Sequence, residues 1–197
     1  MINQLLVKEK ITEDIYYLDQ WNFLEKKQDL FNQIYLNSKW QEEYIKIFGR
    51  KIKCPRKIAY YGNDHVCYKY SGNIHQAEKF YPLLLEIKNE LEHYTGENFN
   101  FVLLNYYKDG QDYMGFHSDD EKELGENPFI ASISLGASRL IKFKHKKDKL
   151  IHKLVLNHNS LLIMKGKSQQ EWLHSIPKTS ANVGARINMT FRLINNI

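Results

Sequence analysis

Over residues 77–94 apolar side chains recur at helical spacing. Ala77, Phe80, Leu84, Ile87, Leu91 and Tyr94 share one face, and Gly96 follows as a stop. A shorter stripe, Leu30, Phe31, Ile34 and Tyr35, predicts an earlier helix. From Phe99 onward the pattern shortens into β-rich runs: Phe99–Tyr107, Phe129–Leu135, Arg139–His145, Ile151–Leu156, Ser160–Met164 and Ala185–Ile194. Turn formers such as Asp109-Gly110, Gly136-Ala137 and Asn157-His158-Asn159 separate them. Helices followed by many short, regularly spaced strands predict an α+β chain: a β-sandwich or jelly roll, core about 99–194, with supporting N-terminal helices. No repeat, low-complexity stretch or linker divides the 197 residues, so a single domain, 1–197, is expected.

The last run carries the first chemical signal. In an extended strand Arg186, Asn188, Thr190 and Arg192 line one face, while Ile187, Met189, Phe191 and Leu193 line the other. Two placements satisfy this alternation. Either the polar face lies in water, or it lines a site where an anion balances two guanidiniums, because an unpaired buried charge costs several kcal/mol or more. A small dianion held at both ends fits the second placement.

Composition narrows the setting only a little. With 28 Lys and Arg against 23 Asp and Glu the formal charge is +5, a modest bias toward anionic partners. Cys54 and Cys67 are too few for a disulfide framework or a zinc site and read as reduced thiols. Residues 1–14 hold no signal-peptide core, and no apolar run reaches membrane-spanning length. A soluble intracellular protein with no membrane role is therefore expected.

His117-Ser118-Asp119 is the chain's only His-x-acid pair, and an extended backbone would put both side chains on one face. His174, just before the arginine strand, would complete a two-histidine, one-carboxylate set that leaves open positions on an octahedral Fe(II). The competing reading is an exposed turn histidine and an unrelated core histidine. The arginine strand weighs against it.

Asn105-x-Tyr107, His117-x-Asp119, His174 and Arg186-x-Asn188-x-Thr190-x-Arg192, in this order, resemble the AlkB family of Fe(II)- and 2-oxoglutarate-dependent dioxygenases. The resemblance covers roughly residues 48–193. It is closest to the branch of the eukaryotic nuclear DNA-repair homologue, through Asn105-Tyr106-Tyr107-Lys108-Asp109-Gly110 and His117-Ser118-Asp119-Asp120-Glu121. It implies a double-stranded β-helix, iron held by His117, Asp119 and His174, and 2-oxoglutarate and O2 as co-substrates. Arg186 would meet the distal carboxylate of 2-oxoglutarate, assisted by Tyr107 and Asn188; Arg192 and Asn105 would bind near its metal-side carboxylate, with Thr190 lining the same pocket. The implied activity is oxidative demethylation of N-alkylated bases, 1-methyladenine and 3-methylcytosine in kind, with no catalytic residue beyond the metal centre. Alkylated DNA or RNA would be the partner and the protein a monomer, in the nucleus if eukaryotic and otherwise in the cytoplasm.

The resemblance also implies a nucleotide-recognition region at about 45–75. Phe48 matches a finger that fills the gap left by a flipped base, and Tyr68 and Tyr70 match the pocket segment, where stacking contributes about 1–3 kcal/mol per base. Asp120 would favour a cationic lesion. Arg56, with Lys46, Arg50, Lys51, Lys53 and Lys57, and a second run of Lys142, Lys144, His145, Lys146, Lys147 and Lys149, would meet phosphates. Where the close branch carries a basic loop, Pro177-Lys178-Thr179-Ser180-Ala181-Asn182 has one lysine, which leaves single-stranded DNA or RNA open as substrate. Three rivals remain: a nucleic-acid-binding jelly roll without oxidation, the same chemistry on a different substrate, and a jelly-roll metal enzyme without 2-oxoglutarate.

Overall fold

The computed structural model describes residues 9–47, 50–64, 66–70 and 73–195, with side chains described outside 9, 45–47, 50, 51, 67–70 and 73–75. The chain opens with the antiparallel pair β1 (Glu9–Thr12) and β2 (Ile15–Leu18), then α1 (Asn22–Glu25) and α2 (Leu30–Asn37). Next come β3 (Gln41–Ile47), the long β4 (Arg50–Gly62), β5 (Cys67–Tyr70), β6 (Asn73–Gln76), β7 (Glu78–Lys79) and α3 (Pro82–Thr95). β8 (Phe101–Tyr107), β9 (Met114–His117), β10 (Ile130–Gly136), β11 (Arg139–His145) and β12 (Ile151–Leu156) follow. β13 (Ser160–Met164), α4 (Ser168–Glu171), β14 (Trp172–Ile176) and β15 (Arg186–Arg192) complete the described chain.

These strands assort into a large sheet, β1-β2-β13-β10-β15-β8-β4-β3 with β7 beside β4, and a small one, β12-β11-β14-β9; β5 and β6 pair separately. Tyr107, Ile130, Leu162 and Met164 of the large sheet pack on Ile141, Phe143, Leu156 and Ile176 of the small one, which makes the expected double-stranded β-helix. The large sheet's other face is covered by the N-terminal helices. Ile187, Met189 and Phe191 of β15 join Leu30 and Ile34 of α2 and Leu84, Ile87 and Leu91 of α3 in one core. Every residue of β15 is therefore buried: one face by helices, the other by the second sheet. That excludes the solvent-facing placement of its polar side chains.

Two local expectations need correcting. The helical stripe starts at Pro82 rather than Ala77, because proline presets the first helical turn and lacks the N–H that turn would leave unpaired. Glu78 and Lys79 instead pair in parallel with Tyr61 and Gly62, which draws the apolar Ala77 and Phe80 along the sheet. β4 went unread because Pro55 interrupts it. The register against β3 jumps from Tyr44↔Lys53 to Glu42↔Lys57, and the proline falls in that irregularity, where no ladder N–H is needed.

Gly136 ends β10 directly opposite Arg186, at a φ of 90° that side chains with a Cβ rarely adopt. An added Cβ would strike the Ala185 carbonyl oxygen and the Phe31 ring. Gly136→Ala is expected to lower unfolding stability by about 1–3 kcal/mol, the usual range for forced backbone strain, measured by urea denaturation. An unchanged midpoint would show that the turn relaxes freely.

Candidate metal centre and anion pocket

The small sheet assembles the first cluster. β9 and β14 are neighbours, and their register sets His117 opposite His174, with ring centroids 4.2 Å apart. Just past the end of β9, Asp119 is held by its backbone N–H, which donates to Gln169 Oε1 at 3.0 Å. Its Oδ1 lies 3.7 Å from His117 Nε2. The ligand-capable atoms of His117, Asp119 and His174 all fall within 4.8 Å of one another, so small side-chain rotations bring all three onto one ion.

The protonation states suit a cation. His117 Nδ1 donates to the Gly115 carbonyl at 2.9 Å, which leaves Nε2 as the ring nitrogen available to a metal. Burial pushes His174 down to about 3, so its imidazole is neutral near pH 7. Burial alone would raise Asp119, but the effects that lower it, led by the charge of the Arg192 guanidinium, outweigh it and hold the carboxyl at about 2. Neither His174 nor Asp119 has to lose a proton near pH 7 before binding an ion. Arg192 Nη2 donates to Asp119 Oδ2 at 2.7 Å with both side chains buried, which orients the carboxylate.

The second cluster lies on β15 and its neighbours, in the same cavity between the sheets. Arg186 is 1% exposed, and its Nη2 donates to Ser134 Oγ at 2.9 Å. The Arg186 Nε and Nη1 atoms are buried without a partner among the described residues. Its Cζ lies 5.3 Å from the centre of the Tyr107 ring, the residue opposite it on β8. Burial lowers its pKa to about 10, still charged near neutrality. Two orphaned guanidinium donors buried in a cavity point to an anionic oxygen ligand, since leaving them empty costs free energy. Asn105 is fixed by Arg56, whose Nε donates to its Oδ1 at 2.6 Å.

Thirteen of the fourteen expected site residues fall in the described chain, though not all at site depth. His117, Asp119, His174, Asn105, Tyr107, Arg186, Asn188, Thr190, Arg192 and Arg56 line one cavity. Asn188, expected to assist Arg186, lines the cavity with both amide protons engaged, by Ser132 Oγ at 2.7 Å and the Ile133 carbonyl at 3.1 Å, while its Oδ1 accepts from Thr190. It braces the wall. Arg56, expected at a phosphate, is buried, 3.7 Å from Glu43 Oε2. Lys146 is likewise engaged, donating to Ser118 Oγ at 3.1 Å and the Gln169 carbonyl at 2.8 Å. Asp120 is exposed and accepts from Ser118 at 2.9 Å. Phe48 lies outside the described residues, as do the side chains of Tyr68 and Tyr70.

Sequence reasoning missed Ser132 and Ser134, which hold the β15 polar face from β10, and Gln169, which holds Asp119. The serines had a signal. In Ile130-Ala131-Ser132-Ile133-Ser134-Leu135 both hydroxyls share the face that β15 makes polar.

The model of the 2OG-Fe(II) oxygenase superfamily matches residues 14–192. The chain belongs to that superfamily. Within it the chain is of the AlkB family. It is 39% identical over 158 residues to the human DNA oxidative demethylase ALKBH2, covering 76% of this chain and 60% of that protein. It is 32% identical to the Arabidopsis thaliana DNA oxidative demethylase ALKBH2, over 92% of this chain and 66% of that protein. It is 37% identical to the human alpha-ketoglutarate-dependent dioxygenase alkB homolog 3, over 71% of this chain and 52% of that one. The chain thus spans roughly half to two thirds of the length of these curated relatives. The solved structure of OsALKBH1 superposes with a TM-score of 0.65 at 16% identity, over 93% of this chain and all of that one, a likeness of fold.

Superfamily membership implies iron and 2-oxoglutarate, and the residues present fit both. Two imidazoles and a carboxylate form the donor set of a non-haem Fe(II) site, and the orphaned donors of Arg186 fit a carboxylate. Among the described residues no helix is long and apolar enough to cross a membrane.

Proposed function

We propose that this chain is an Fe(II)- and 2-oxoglutarate-dependent dioxygenase that demethylates N-alkylated bases, 1-methyladenine and 3-methylcytosine in kind, in DNA or RNA. One observation supports this above the rest: a His-Asp-His cluster and a buried arginine with two unpaired donors share one cavity, in a chain similar to DNA oxidative demethylases. When bound, iron, 2-oxoglutarate and O2 supply the oxidation. His117, Asp119 and His174 hold the metal, and Arg192 keeps Asp119 ionised and oriented. Arg186, beside Tyr107, takes the distal carboxylate of 2-oxoglutarate, while Asn105 and Arg192 flank its metal end and Thr190 lines the wall.

The base-holding role falls to the region at about 45–75. A base must leave its stack to reach the cavity, at a cost of a few kcal/mol, and stacking on Tyr68 and Tyr70 offsets about 1–3 kcal/mol of it while Phe48 fills the gap. Asp120, exposed beside the metal ligand Asp119, favours the positive charge of 1-methyladenine and 3-methylcytosine. Arg56 lines the cavity rather than gripping phosphate. The protein acts as a monomer, in the nucleus if the host is eukaryotic.

The test is mass spectrometry of 3-methylcytosine oligonucleotides, single- and double-stranded, after reaction with iron, 2-oxoglutarate and air. Loss of a methyl mass that requires both additions is expected, with the single strand favoured because residues 177–182 hold one lysine. Succinate formation with every oligonucleotide left intact would move the activity to another substrate.

A further inference from the structure

Arg139, at the start of β11, is 3% exposed and belongs to neither cluster. Its guanidinium is committed to main-chain carbonyls: Nη1 donates to Asp109 at 3.0 Å, and Nη2 to Asp112 and Pro177, each at 2.8 Å. Those carbonyls flank the strands that carry the metal-ligating histidines. Asp112 lies just before β9, and Pro177 just after β14. The two loops are also joined directly, by the Thr179 N–H on the Gly110 carbonyl at 2.9 Å and by Gln111 Nε2 on the Thr179 carbonyl at 3.2 Å. Gly110 permits this closeness, since a Cβ there would meet Thr179 O at 2.7 Å. The same guanidinium lies over Tyr107, its Cζ 5.7 Å from the ring centre, beside the 5.3 Å approach of Arg186 to that ring.

We infer that Arg139 is a positioning residue for the distal end of the dicarboxylate pocket: it pins the loops that adjoin Met114 and Ile176 of the cavity wall and, through Tyr107, sets Arg186. The inference rests on 2-oxoglutarate being the ligand of Arg186. Three carbonyl contacts need a planar fork of donors, which lysine lacks although it keeps the charge. A second buried cation beside the ring also raises the positive potential that a distal carboxylate meets. The metal end of the pocket lies on other residues, so Arg139 acts on a ligand that reaches Arg186 and not on one that stops at the metal.

The experiment uses the full chain loaded with redox-silent Mn(II) and titrates two probes by calorimetry. N-oxalylglycine carries both carboxylates of 2-oxoglutarate, and oxalate chelates a metal but has nothing to place at Arg186. Binding of N-oxalylglycine to the wild type checks the 2-oxoglutarate reading on its own. Arg139→Met should weaken N-oxalylglycine about tenfold, on the scale of a lost desolvated cation–ring contact, and leave oxalate within about twofold. Arg139→Lys should fall between; if the methionine variant does not fold by circular dichroism, the lysine variant carries the comparison. In a Tyr107→Leu background Arg139→Lys should add nothing further. Equal weakening of both probes, unchanged N-oxalylglycine affinity, or additive effects with Tyr107→Leu would each overturn the inference.

Discussion

His174→Ala abolishes metal uptake and turnover while the fold survives. Losing a group that only hydrogen-bonds a metal ligand costs about 10- to 100-fold in affinity, so losing the ligand itself costs more than about 100-fold. The choice of histidine matters. Asp119 is the buried partner of Arg192 at 2.7 Å, and removing one member of a buried ion pair destabilises by about 3–5 kcal/mol, which confounds lost metal with lost structure. His174 is held neutral by burial, so its truncation strands no charge and leaves only a small cavity beside Phe143 and His117. Isothermal titration with Mn(II) under argon, paired with a urea melt, separates the two effects. An unfolding midpoint near wild type with no Mn(II) heat is the expected pair of results. Retained metal affinity in the variant would show that His174 is not a ligand.

Why some of this site was legible in sequence and some was not follows from how each strand is buried. β15 and β8 alternate because one face meets helices and the other a polar cavity, so Arg186, Asn188, Thr190, Arg192, Asn105 and Tyr107 stand out at period two. β9 and β14 carry two of the three metal ligands but span four and five residues, and neither alternates in burial. His117 and His174 were therefore picked out only by the His-x-Asp spacing and by the arginine strand that follows His174, and their cross-strand register is not recorded in the sequence. The apolar stripe through Ala77 and Phe80 misled because residues packed along a sheet edge can mimic a helical face; Pro82 was the better marker. Gln169 and Arg139 gave no local signal. Their work is to hold backbone 50 and 27–38 residues away, a distance that no spacing along the chain records.

Arg186→Met should make the ligand-free protein more stable and at the same time blind it to 2-oxoglutarate. In the free protein this guanidinium is buried, donates to Ser134 and has two donors without a partner among the described residues, and burial has already pulled its pKa down to about 10. Replacing a buried charge by an apolar side chain of similar length is commonly neutral or stabilising by about 1–4 kcal/mol. Binding runs the other way. Each hydrogen bond between charged groups contributes about 1.5–3 kcal/mol, so two lost at the distal carboxylate weaken 2-oxoglutarate by about 100-fold or more. A thermal melt reads both signs at once. With Mn(II) present and 2-oxoglutarate at about 100 times its dissociation constant, the wild type gains about 2.7 kcal/mol, while the variant starts from a higher midpoint and gains almost nothing. Arg192→Met is the control, because Arg192 already has its anion in Asp119: its loss should lower the ligand-free midpoint. A fall in the ligand-free midpoint of Arg186→Met would mean that the free protein itself satisfies this arginine, and the case for a carboxylate at that point would fail with it.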